Sequence, residues 1–552
     1  NTALGGRSLQ SCTTGDSNVA LGDYALHTST TADNNTAVGT QALRYNTTGA
    51  SNVAIGYEAL KANTTASSNV AVGPQTLLAN TTGTRNIAMG EYALDANTTG
   101  AQNIGLGYKT LSGNTTGNYN VAVGDEALFA STTAAWNTAV GNDALYDNTT
   151  GEYNTAVGGQ ALANNTTANF NVAVGYNGLK DNTTGAENTS LGGRSLEANT
   201  TASYNTAIGY ASLFSNTTGA QNTALGRTAL YSNTTANDNT ALGYNTMYSN
   251  TTGTGNVAVG KNALDANTTG NYNTAIGMLA LTTTVSGEQN TAVGYESLAN
   301  NTAHFNTAMG FQALETNTTG SNNTAVGHNA MDVSTTGANN TAVGSQSLGA
   351  LTTGGENTAI GHHALLVSTT GYRNVAVGHE AGNSISTGFK NTCVGDVAGE
   401  ALTTGSNCTM LGYNANASAV DSTNQITLGD ANISSLRCAD TSISSLSDRR
   451  DKTDIVDLPV GLDFLNSVRP VKFKWQTREG TPAKDGKFRA GFIAQELQEV
   501  QKDHDYLDLV MEDNPDKLEA KQGKLIPVLV NAIKELSSEN DALKARLDAA
   551  GL

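Results

Sequence analysis

Proline, cysteine and charged residues are scarce in the first 446 positions of this 552-residue chain, which hold one of six prolines and 39 of the 76 charged residues. Four cysteines in total are too few and too scattered for a disulfide framework. We expect Cys393 and Cys408 to be buried thiols, although a repeat structure could also make them neighbours. A net charge of −18 argues against a nucleic-acid partner. No run of eighteen apolar residues occurs, so we expect no membrane insertion.

Motifs for cofactor or substrate chemistry are also lacking. Residues 255–261, GNVAVGK, approach a phosphate-binding loop, but Asn262 follows the lysine where such a loop needs serine or threonine. His362 and His363 have no cysteine or carboxylate spaced to complete a metal site. Acidic residues vary in position between repeats, so no carboxylate pair can be assigned to glycan cleavage. The sequence therefore predicts no metal, no cofactor and no active site for an external substrate.

The composition changes at residue 447. The first 446 residues carry 27 acidic and 12 basic side chains, whereas the last 106 carry 20 and 17. Of the 60 glycines, 54 precede the change, and five of the six prolines follow it. We therefore separate 1–446 from 447–552. The chain starts at Asn1 without a methionine or a signal-like stretch, so we expect a further segment to precede it.

The first region consists of a repeat with a period of 17 residues. The motif NTAVG and its variants start at Asn1, recur in steps of 17 to Asn290, take one step of 16 to Asn306, and continue to Asn391, which gives 24 clear copies. A degenerate copy begins at Asn407. A fixed period of this length indicates a solenoid. At about 4.8 Å per coil, the copies would extend over roughly 115 Å.

One copy, NTAVGTQALRYNTTGAS, illustrates the expected coil. A short strand places the β-branched residues Thr36 and Val38 on one face. Ala37 lies on the other face, where a neighbouring chain can approach closely. A second short strand places Leu43 inward, so that aliphatic residues form columns through the stack. On this interpretation Ile208→Asp is severe, whereas Asn205→Ala, which removes one anchoring amide, is mild.

These repeats resemble the β-roll heads of trimeric autotransporter adhesins, which carry a similar Asn-Ser/Thr-x-Ala-Ile/Val-Gly core, and repeats of phage tail fibres. The resemblance covers about residues 1–412 and implies a mainly β, elongated β-roll or β-helix in a homotrimeric fibre. Those heads have shorter repeats, so cross-section and handedness stay open. We expect 413–446 to be a β neck containing Ile426, Leu428 and Ile433, with a disordered linker as the alternative.

The Asn-Thr-Thr turn that closes each coil is also an N-glycosylation sequon. We favour a turn residue that caps its own backbone and stacks on its counterpart in the next coil. If a cell with N-glycosylation machinery secretes the protein, the same positions become a ladder of sugars. The candidate positions are Asn46, Asn63, Asn80, Asn97 and ten further equivalents.

The last 106 residues predict a small α/β domain with a short helix, a strand that leads into a helix, and a long terminal helix. Over 525–550, apolar residues alternate in steps of three and four, which is typical of a coiled-coil seam with an asparagine that fixes the register. Packing of this helix on its own domain is the alternative. The predicted trimerisation seam comprises Ile526, Leu529, Ile533, Leu536, Asn540, Leu543 and Leu547.

This domain resembles the intramolecular chaperone domain at the end of phage endosialidases, tailspikes and fibres, which is also found in myelin regulatory factor. The family's signature Ser-Asp-x-Arg-x-Lys is present as SDRRDK at 447–452. The blocks GFIAQEL at 491–497 and PVLVNAIKEL at 527–536 follow in the expected order. The resemblance implies that the domain trimerises, guides folding of the preceding fibre, and then cuts itself off.

The resemblance assigns Ser447 as the nucleophile and Lys452 as its base, with Asp448 and Arg450 as further residues of the cleavage-site signature. A serine hydroxyl needs a base, and lysine is one only when burial lowers its pKa. Residues five apart lie across a strand, so the backbone must bend to join them. Asp448 either positions the scissile bond or only solvates the turn. We expect bend and burial to form in the trimer.

The leading functional hypothesis is a phage tail fibre or receptor-binding protein of the virion that binds a host cell-surface receptor or glycan. Near-identical coils have no unique register, so three chains need an aligning domain. The alternative is a bacterial or environmental extracellular fibre, adhesive or structural, matured by the same chaperone. An enzyme acting on an external polysaccharide is disfavoured because no carboxylate pair is present.

Overall fold

The computed structural model describes most of the chain, namely residues 1–433, 435–437, 447–476, 486–512 and 518–551. The chain forms two compact units, Asn1–Thr353 and Gly354–Leu552. Both units contain 17-residue coils with one strand each, and the second also contains the C-terminal domain. The prediction of a mainly β solenoid of 17-residue repeats followed by a small domain with helices is confirmed.

Each coil contributes a strand of three residues that pairs in parallel with the strand 17 residues later, as Thr36 does with Val53 and Val38 with Ile55. In the first unit, all of whose residues are described, the strands β1 to β21 are Thr2–Leu4, Val19–Leu21, Thr36–Val38, Val53–Ile55, Val70–Val72, Ile87–Met89, Ile104–Leu106, Val121–Val123, Thr138–Val140, Thr155–Val157, Val172–Val174, Thr189–Leu191, Thr206–Ile208, Thr223–Leu225, Thr240–Leu242, Val257–Val259, Thr274–Ile276, Thr291–Val293, Thr307–Met309, Thr324–Val326 and Thr341–Val343. In the described part of the second unit, the solenoid strands β22 to β26 are Thr358–Ile360, Val375–Val377, Thr392–Val394, Thr409–Leu411 and Ile426–Leu428.

The segment after each strand is a series of turns, and the expected second strand is wrong. Gln41 and Leu43 have left-handed backbones with φ of 60° and 51°, and equivalent pairs recur from coil to coil. A strand requires φ near −120°, so these residues interrupt any extended path. Leu43 is nevertheless fully buried, as predicted.

The interior face of the strand is the alanine face, opposite to the expectation. Ala37 is fully buried, whereas Thr36 and Val38 are partly exposed. The equivalent position is alanine in most coils, and where it is Ser190, Cys393 or Met410 the side chain is buried as well. The residues on either side of the buried alanine, such as Thr36 and Val38, therefore form an outward-facing stripe, not a column of the core.

The glycine that ends each strand permits a close backbone approach, but to the next coil of the same chain. Gly39 has φ of +132°, and a Cβ atom built there would lie 2.4 Å from the carbonyl oxygen of Gly56. Only glycine accepts this conformation at such a contact. The recurrent glycine thus sets the stacking of coils, and the expected approach of a second chain at this face is wrong.

The anchoring asparagines form a buried hydrogen-bonded column. The backbone N–H of Asn35 donates to Oδ1 of Asn18 at 2.9 Å, and its own Nδ2 donates to the carbonyl of Gly49 at 3.0 Å. The Oδ1 atom of Asn35 in turn accepts from the backbone N–H of Asn52 at 2.9 Å. Each amide therefore closes its own coil and links it to both neighbours.

The asparagines of the Asn-Thr-Thr turns form a second buried column. Nδ2 of Asn63 donates to Oδ1 of Asn46 at 2.8 Å and to the carbonyl of Ala66 at 3.0 Å. The equivalent side chains are fully buried, so the folded coil leaves no room for a sugar on this nitrogen. This geometry favours the turn-and-stack interpretation of the sequons at Asn46, Asn63, Asn80 and Asn97.

The one 16-residue coil is shortened at its turn. Nδ2 of Asn301 donates to the carbonyl of Ala303, two residues later, at 2.9 Å. In other coils the equivalent hydrogen bond reaches the carbonyl three residues later, as from Asn63 to Ala66. The flanking strands still pair, with Thr291 opposite Thr307. The missing residue is therefore absorbed in the turn, and the columns continue.

The solenoid extends beyond residue 412, where the shaft was expected to end. Strand β26 pairs with β25 in the regular register, with Thr409 opposite Ile426 and Leu411 opposite Leu428. The anchor position of the preceding coil is Cys408, whose N–H donates to Oδ1 of Asn391 at 3.0 Å, and not Asn407. Residues 438–446 of the expected neck lie outside the described residues.

The two cysteines near the end of the solenoid are buried thiols, as predicted. Cys393 and Cys408 are free and at most 1% exposed. Burial raises the pKa of the Cys393 thiol to about 12. These groups therefore act as small apolar side chains of the core.

The C-terminal domain is a small α/β assembly around an apolar core that includes Phe464, Leu497, Leu509 and Val528. Its described elements are α1 Leu462–Ser467, β27 Val471–Phe473, β28 Arg489–Gly491, α2 Ala494–Gln501, β29 Val510–Met511, β30 Glu519–Ala520 and α3 Ile526–Ala549. Strands β27 and β28 pair antiparallel, as do β29 and β30. None of the helices in the described residues is both long and apolar enough to cross a membrane.

Candidate functional site

The chain bends sharply between Ser447 and Lys452. Arg449–Asp451 forms one turn of 3-10 helix, capped by Asp448, whose Oδ1 accepts from the backbone N–H of Arg450 at 2.9 Å. The N–H of Lys452 donates back to the carbonyl of residue 449 at 3.2 Å. This turn supplies the bend that the spacing of the two residues required.

The turn brings the two residues of the expected dyad into contact. Nζ of Lys452 donates to Oγ of Ser447 at 2.6 Å, slightly shorter than the usual range of about 2.7–3.2 Å for an N–H···O hydrogen bond. To act as a base, the lysine would have to be neutral and accept the hydroxyl proton instead. Both side chains are exposed in this single chain. The described part of the chain therefore provides the proximity but not the burial.

Asp448 and Arg450 form an ion pair on the outside of the same turn. Arg450 donates from Nη2 to Oδ2 of Asp448 at 2.6 Å and from Nε to Oδ1 at 3.1 Å. These hydrogen bonds hold the pKa of the Asp448 carboxyl below its ordinary value. An ionised Asp448 is the stronger cap, so the geometry gives this residue a role in the turn, and its positioning of the scissile bond stays a prediction.

Helix α3 has two apolar faces. Val528 and Ala532 are buried against the domain. The first turns of α3 therefore pack on their own domain, as the alternative interpretation expected. From Ile533 to Ala549 every residue is exposed. The six apolar residues of the predicted seam are 41–66% exposed, and they are Ile526, Leu529, Ile533, Leu536, Leu543 and Leu547. Asn540 is exposed in the same row.

Two polar residues of α3 that the sequence did not single out attach the helix to the start of the domain. Nδ2 of Asn531 donates to the carbonyls of Leu458 and Val460 at 3.2 and 2.9 Å. Oε2 of Glu535 accepts from the N–H of Leu462 at 2.6 Å, which satisfies a free donor at the start of α1. Asn531 and Glu535 are four residues apart and share the side of α3 away from the seam. This spacing is the sequence signal that could have predicted a polar contact between the helix and its own domain.

The histidines of the solenoid form a surface stack. His362 stacks on His379 with ring centroids 5.4 Å apart, and Nδ1 of His379 lies 2.9 Å from a carboxylate oxygen of Asp396. Among the described residues, no group of three histidine, cysteine, aspartate or glutamate side chains could hold a metal ion. The candidate site is therefore the turn at 447–452 together with helix α3.

The fold and the site define a β-solenoid fibre that carries an intramolecular chaperone at its C-terminal end. Residues 447–506 match the family model Peptidase_S74, described as the chaperone of endosialidase. The match begins at Ser447 and includes α1, β27, β28 and α2. With the long solenoid, it fits a tail-fibre or endosialidase-type protein, as the signature predicted. No curated protein and no solved structure matches the chain.

Proposed function

We propose that this protein is a homotrimeric phage tail fibre whose C-terminal domain aligns three chains, guides their folding, and then cuts itself off beside Ser447. The single observation that carries the proposal is the 2.6 Å contact between Oγ of Ser447 and Nζ of Lys452. A capped turn holds these side chains together within the stretch that matches the chaperone family.

Helix α3 supports trimer formation. Its seam residues alternate in steps of three and four and are exposed in the single chain. A helix without tertiary contacts is marginal in water, and the part after Ile533 has every residue exposed. Burial of the seam in a coiled coil of three chains removes this apolar surface from water.

The outward stripe of the solenoid supports contact between the same three chains along the coils. The last residue of each described solenoid strand is apolar, and Ile55, Met89, Leu191 and Leu225 are examples that are 40–46% exposed. A contiguous apolar face of this length is typical of an interface. The chains then meet through the valine and leucine side of the strand, not through the alanine and glycine side.

The chemistry we propose needs only the dyad and water. The Ser447 hydroxyl attacks the carbonyl of the preceding peptide bond and passes its proton to the neutral amine of Lys452. Attack on the serine's own carbonyl would close a four-membered ring, so the preceding bond is the better substrate. The acyl group moves from nitrogen to Oγ, and the lysine returns the proton to the amine. Water hydrolyses the ester, which leaves a carboxylate on the fibre and frees a 106-residue tail.

The virion location and host receptor rest on the family match and on one surface feature. Tyr119, Trp136, Tyr153 and Phe170 occupy one exterior position in four successive coils and are 41–57% exposed. Their rings stack nearly parallel, with interplanar angles of 4–9°. We assign this row to receptor contact. An extracellular fibre of a cell is the second candidate, because the same chaperone and solenoid would serve it equally.

The test of self-cleavage uses Ser447→Ala and Lys452→Ala in the full chain. Both are expected to leave uncut chains that still form trimers, because neither residue belongs to the α3 seam. Leu536→Asp is the matched control that disrupts the seam and retains the dyad, and it is expected to yield uncut monomers. Denaturing gels report cutting and native mass spectrometry reports trimers. Normal cutting in Ser447→Ala would refute the assignment of the nucleophile.

The test of chaperone function is expression of residues 1–446 alone. Near-identical coils give three chains no unique alignment, so misaligned and aggregated products are expected. Size-exclusion chromatography and thermal scans compare this fragment with the full chain. A good yield of soluble, heat-resistant trimers from the fragment would show that the C-terminal domain is dispensable for assembly.

A further inference from the structure

The buried column of turn asparagines is interrupted in two coils where a serine takes the place of the asparagine. Ser131 follows Asn114 in the column, and Ser334 follows Asn317. All four side chains are fully buried. In the first unit, whose residues are all described, Oδ1 of both asparagines and Oγ of both serines lack a hydrogen-bond partner in the protein. Each interruption therefore places two unsatisfied polar groups in the core, which is unfavourable unless a further molecule binds them.

The uninterrupted coils show which hydrogen bonds the serine cannot make. Nδ2 of Asn63 donates to Oδ1 of Asn46 at 2.8 Å and to the carbonyl of Ala66 at 3.0 Å. The same carbonyl also accepts from Nδ2 of Asn52 at 2.9 Å. A serine has no amide nitrogen, so the amide oxygen of the preceding coil and one lone pair of the turn carbonyl lose their donor.

The turn carbonyls at the two interruptions keep only the other of these donors. The carbonyl of Ala134 accepts from Nδ2 of Asn120 at 2.8 Å, and the carbonyl of Gly337 accepts from Nδ2 of Asn323 at 2.8 Å. Each interruption therefore offers two acceptors, an amide oxygen and a carbonyl oxygen, and one hydroxyl donor.

The space at each interruption suits a very small molecule. A serine side chain has two heavy atoms fewer than an asparagine side chain. The space that they leave is comparable to the share of one molecule in liquid water, about 30 Å³. A divalent cation takes about six or more oxygen ligands, which is more than this set of atoms supplies. Among the described residues, no group of three histidine, cysteine, aspartate or glutamate side chains could hold a metal ion.

We propose that each interruption is a binding site for one water molecule, which takes the place of the missing amide nitrogen. The water donates to Oδ1 of Asn114 and to the carbonyl of Ala134, and it accepts from Oγ of Ser131. Buried waters typically make about three hydrogen bonds to otherwise unsatisfied groups. The inference does not depend on the proposed function of the fibre. The equivalent atoms of the second site belong to Asn317, Gly337 and Ser334.

A third interruption, at Thr284, shows why the site requires serine. Oγ1 of Thr284 donates to the carbonyl of Asn301 at 2.6 Å. In the preceding coil, Oδ1 of Asn267 accepts from the N–H of Gly270 at 3.1 Å. Both polar groups therefore have partners within the protein, and the methyl group of threonine adds a heavy atom that serine lacks. We expect no water at this coil.

The test is a crystal or cryo-electron-microscopy structure of the assembled full-length protein at a resolution that shows ordered water. At Ser131 and Ser334 a solvent peak is expected about 2.5–3.0 Å from each of the three polar atoms, and none is expected at Thr284. Ser131→Asn is expected to replace the first peak with its own Nδ2, bonded to Asn114 and Ala134. The peak at Ser334 is expected to remain in this variant, which makes it the matched control.

The absence of a peak at either serine of the wild type would overturn the inference, because the two interruptions offer the same set of atoms. A peak at Thr284, or a peak surrounded by about six oxygen atoms as around a cation, would overturn it as well. A peak that persists beside the new amide in Ser131→Asn would show that water and amide nitrogen occupy different places. Failure of this variant to assemble would contradict their equivalence too, since asparagine is the regular residue of the column.

Discussion

Replacement of Asn205 tests whether the buried asparagine column holds the coils together. Its Nδ2 donates to the carbonyl of Gly219 at 2.9 Å, and its Oδ1 accepts from the backbone N–H and the side-chain amide of Asn222 at 2.9 and 3.2 Å. Asn205→Ala removes all three hydrogen bonds. The buried N–H of Asn222 is left without its partner, whereas the carbonyl of Gly219 keeps a hydrogen bond from Nδ2 of Asn216 at 2.8 Å. The expected cost therefore includes one orphaned buried group and exceeds the mild effect expected from the sequence.

The magnitude follows from the one orphaned backbone N–H. A buried polar group that loses its partner costs about 1–3 kcal/mol, so Asn205→Ala is expected to cost about 1–3 kcal/mol in each chain. In a repeat protein each coil contacts only its neighbours, so the loss is concentrated in the coils around Asn205. Local opening there becomes at least about fivefold more frequent, at about 1.36 kcal/mol for each factor of ten.

Hydrogen–deuterium exchange with mass spectrometry measures this local opening in assembled full-length protein. Peptides that cover residues 188–222 are expected to exchange at least about fivefold faster in Asn205→Ala, while distant coils keep the wild-type rate. Thr201→Ala changes an exposed residue of the preceding coil, which the same peptides cover, and serves as the control. Equal protection in the two variants would refute the view that the amide column stabilises the stack.

Three further predictions concern the glycine contact, the outward stripe and one ion pair. Gly209 has φ of +127°, and a Cβ added there would lie 2.6 Å from a carbonyl oxygen of the next coil. Gly209→Ala is therefore expected to lower the melting temperature sharply. A Cβ added at Gly193 would lie 3.7 Å from the nearest atom, so Gly193→Ala is expected to be tolerated. Ile208→Asp is expected to preserve the coil but abolish trimers in native mass spectrometry, and normal trimers would contradict the proposed interface. Lys521 donates a hydrogen bond to Asp508 and holds the pKa of the Asp508 carboxyl below its ordinary value. The ionised carboxylate therefore stabilises the folded domain at pH values above the ordinary aspartate pKa. This stabilisation is lost as the pH falls through the pKa of the folded state. Urea unfolding should therefore show Asp508→Asn less stable than wild type near pH 7 but equal to it near pH 2.

The period of the coils could be read from the sequence because it depends on spacing alone, whereas the pairing of Ser447 with Lys452 came from the resemblance to the family signature. Anchors 17 residues apart bring equivalent residues into one column whatever the shape of the coil, and the stacked asparagines follow from this. The contact between Ser447 and Lys452 required a bend, and the signature Asp448 supplies the cap that forms it. The seam of α3 was visible because a helix fixes which residues share a face.

The interior of the coil could not be read in the same way. Alternation shows that Ala37 and Val38 lie on opposite faces, but both residues are apolar, so the pattern does not tell which face is inside. Leu43 has no intrinsic preference for the left-handed conformation that the stacked turns impose on it. Tertiary geometry decided both points.

The uniform register of the solenoid has a consequence for the gene that encodes it. A deletion or duplication of seventeen codons anywhere in the repeats removes or adds one whole coil and leaves every asparagine, alanine and glycine column continuous. Recombination between the near-identical repeats would make such changes readily. Shifts of one codon would be accommodated only at a turn, as at Asn301, where the shortened coil keeps its strand pairing. Fibre length can thus evolve in steps of about 4.8 Å while the sequences at both ends stay constant.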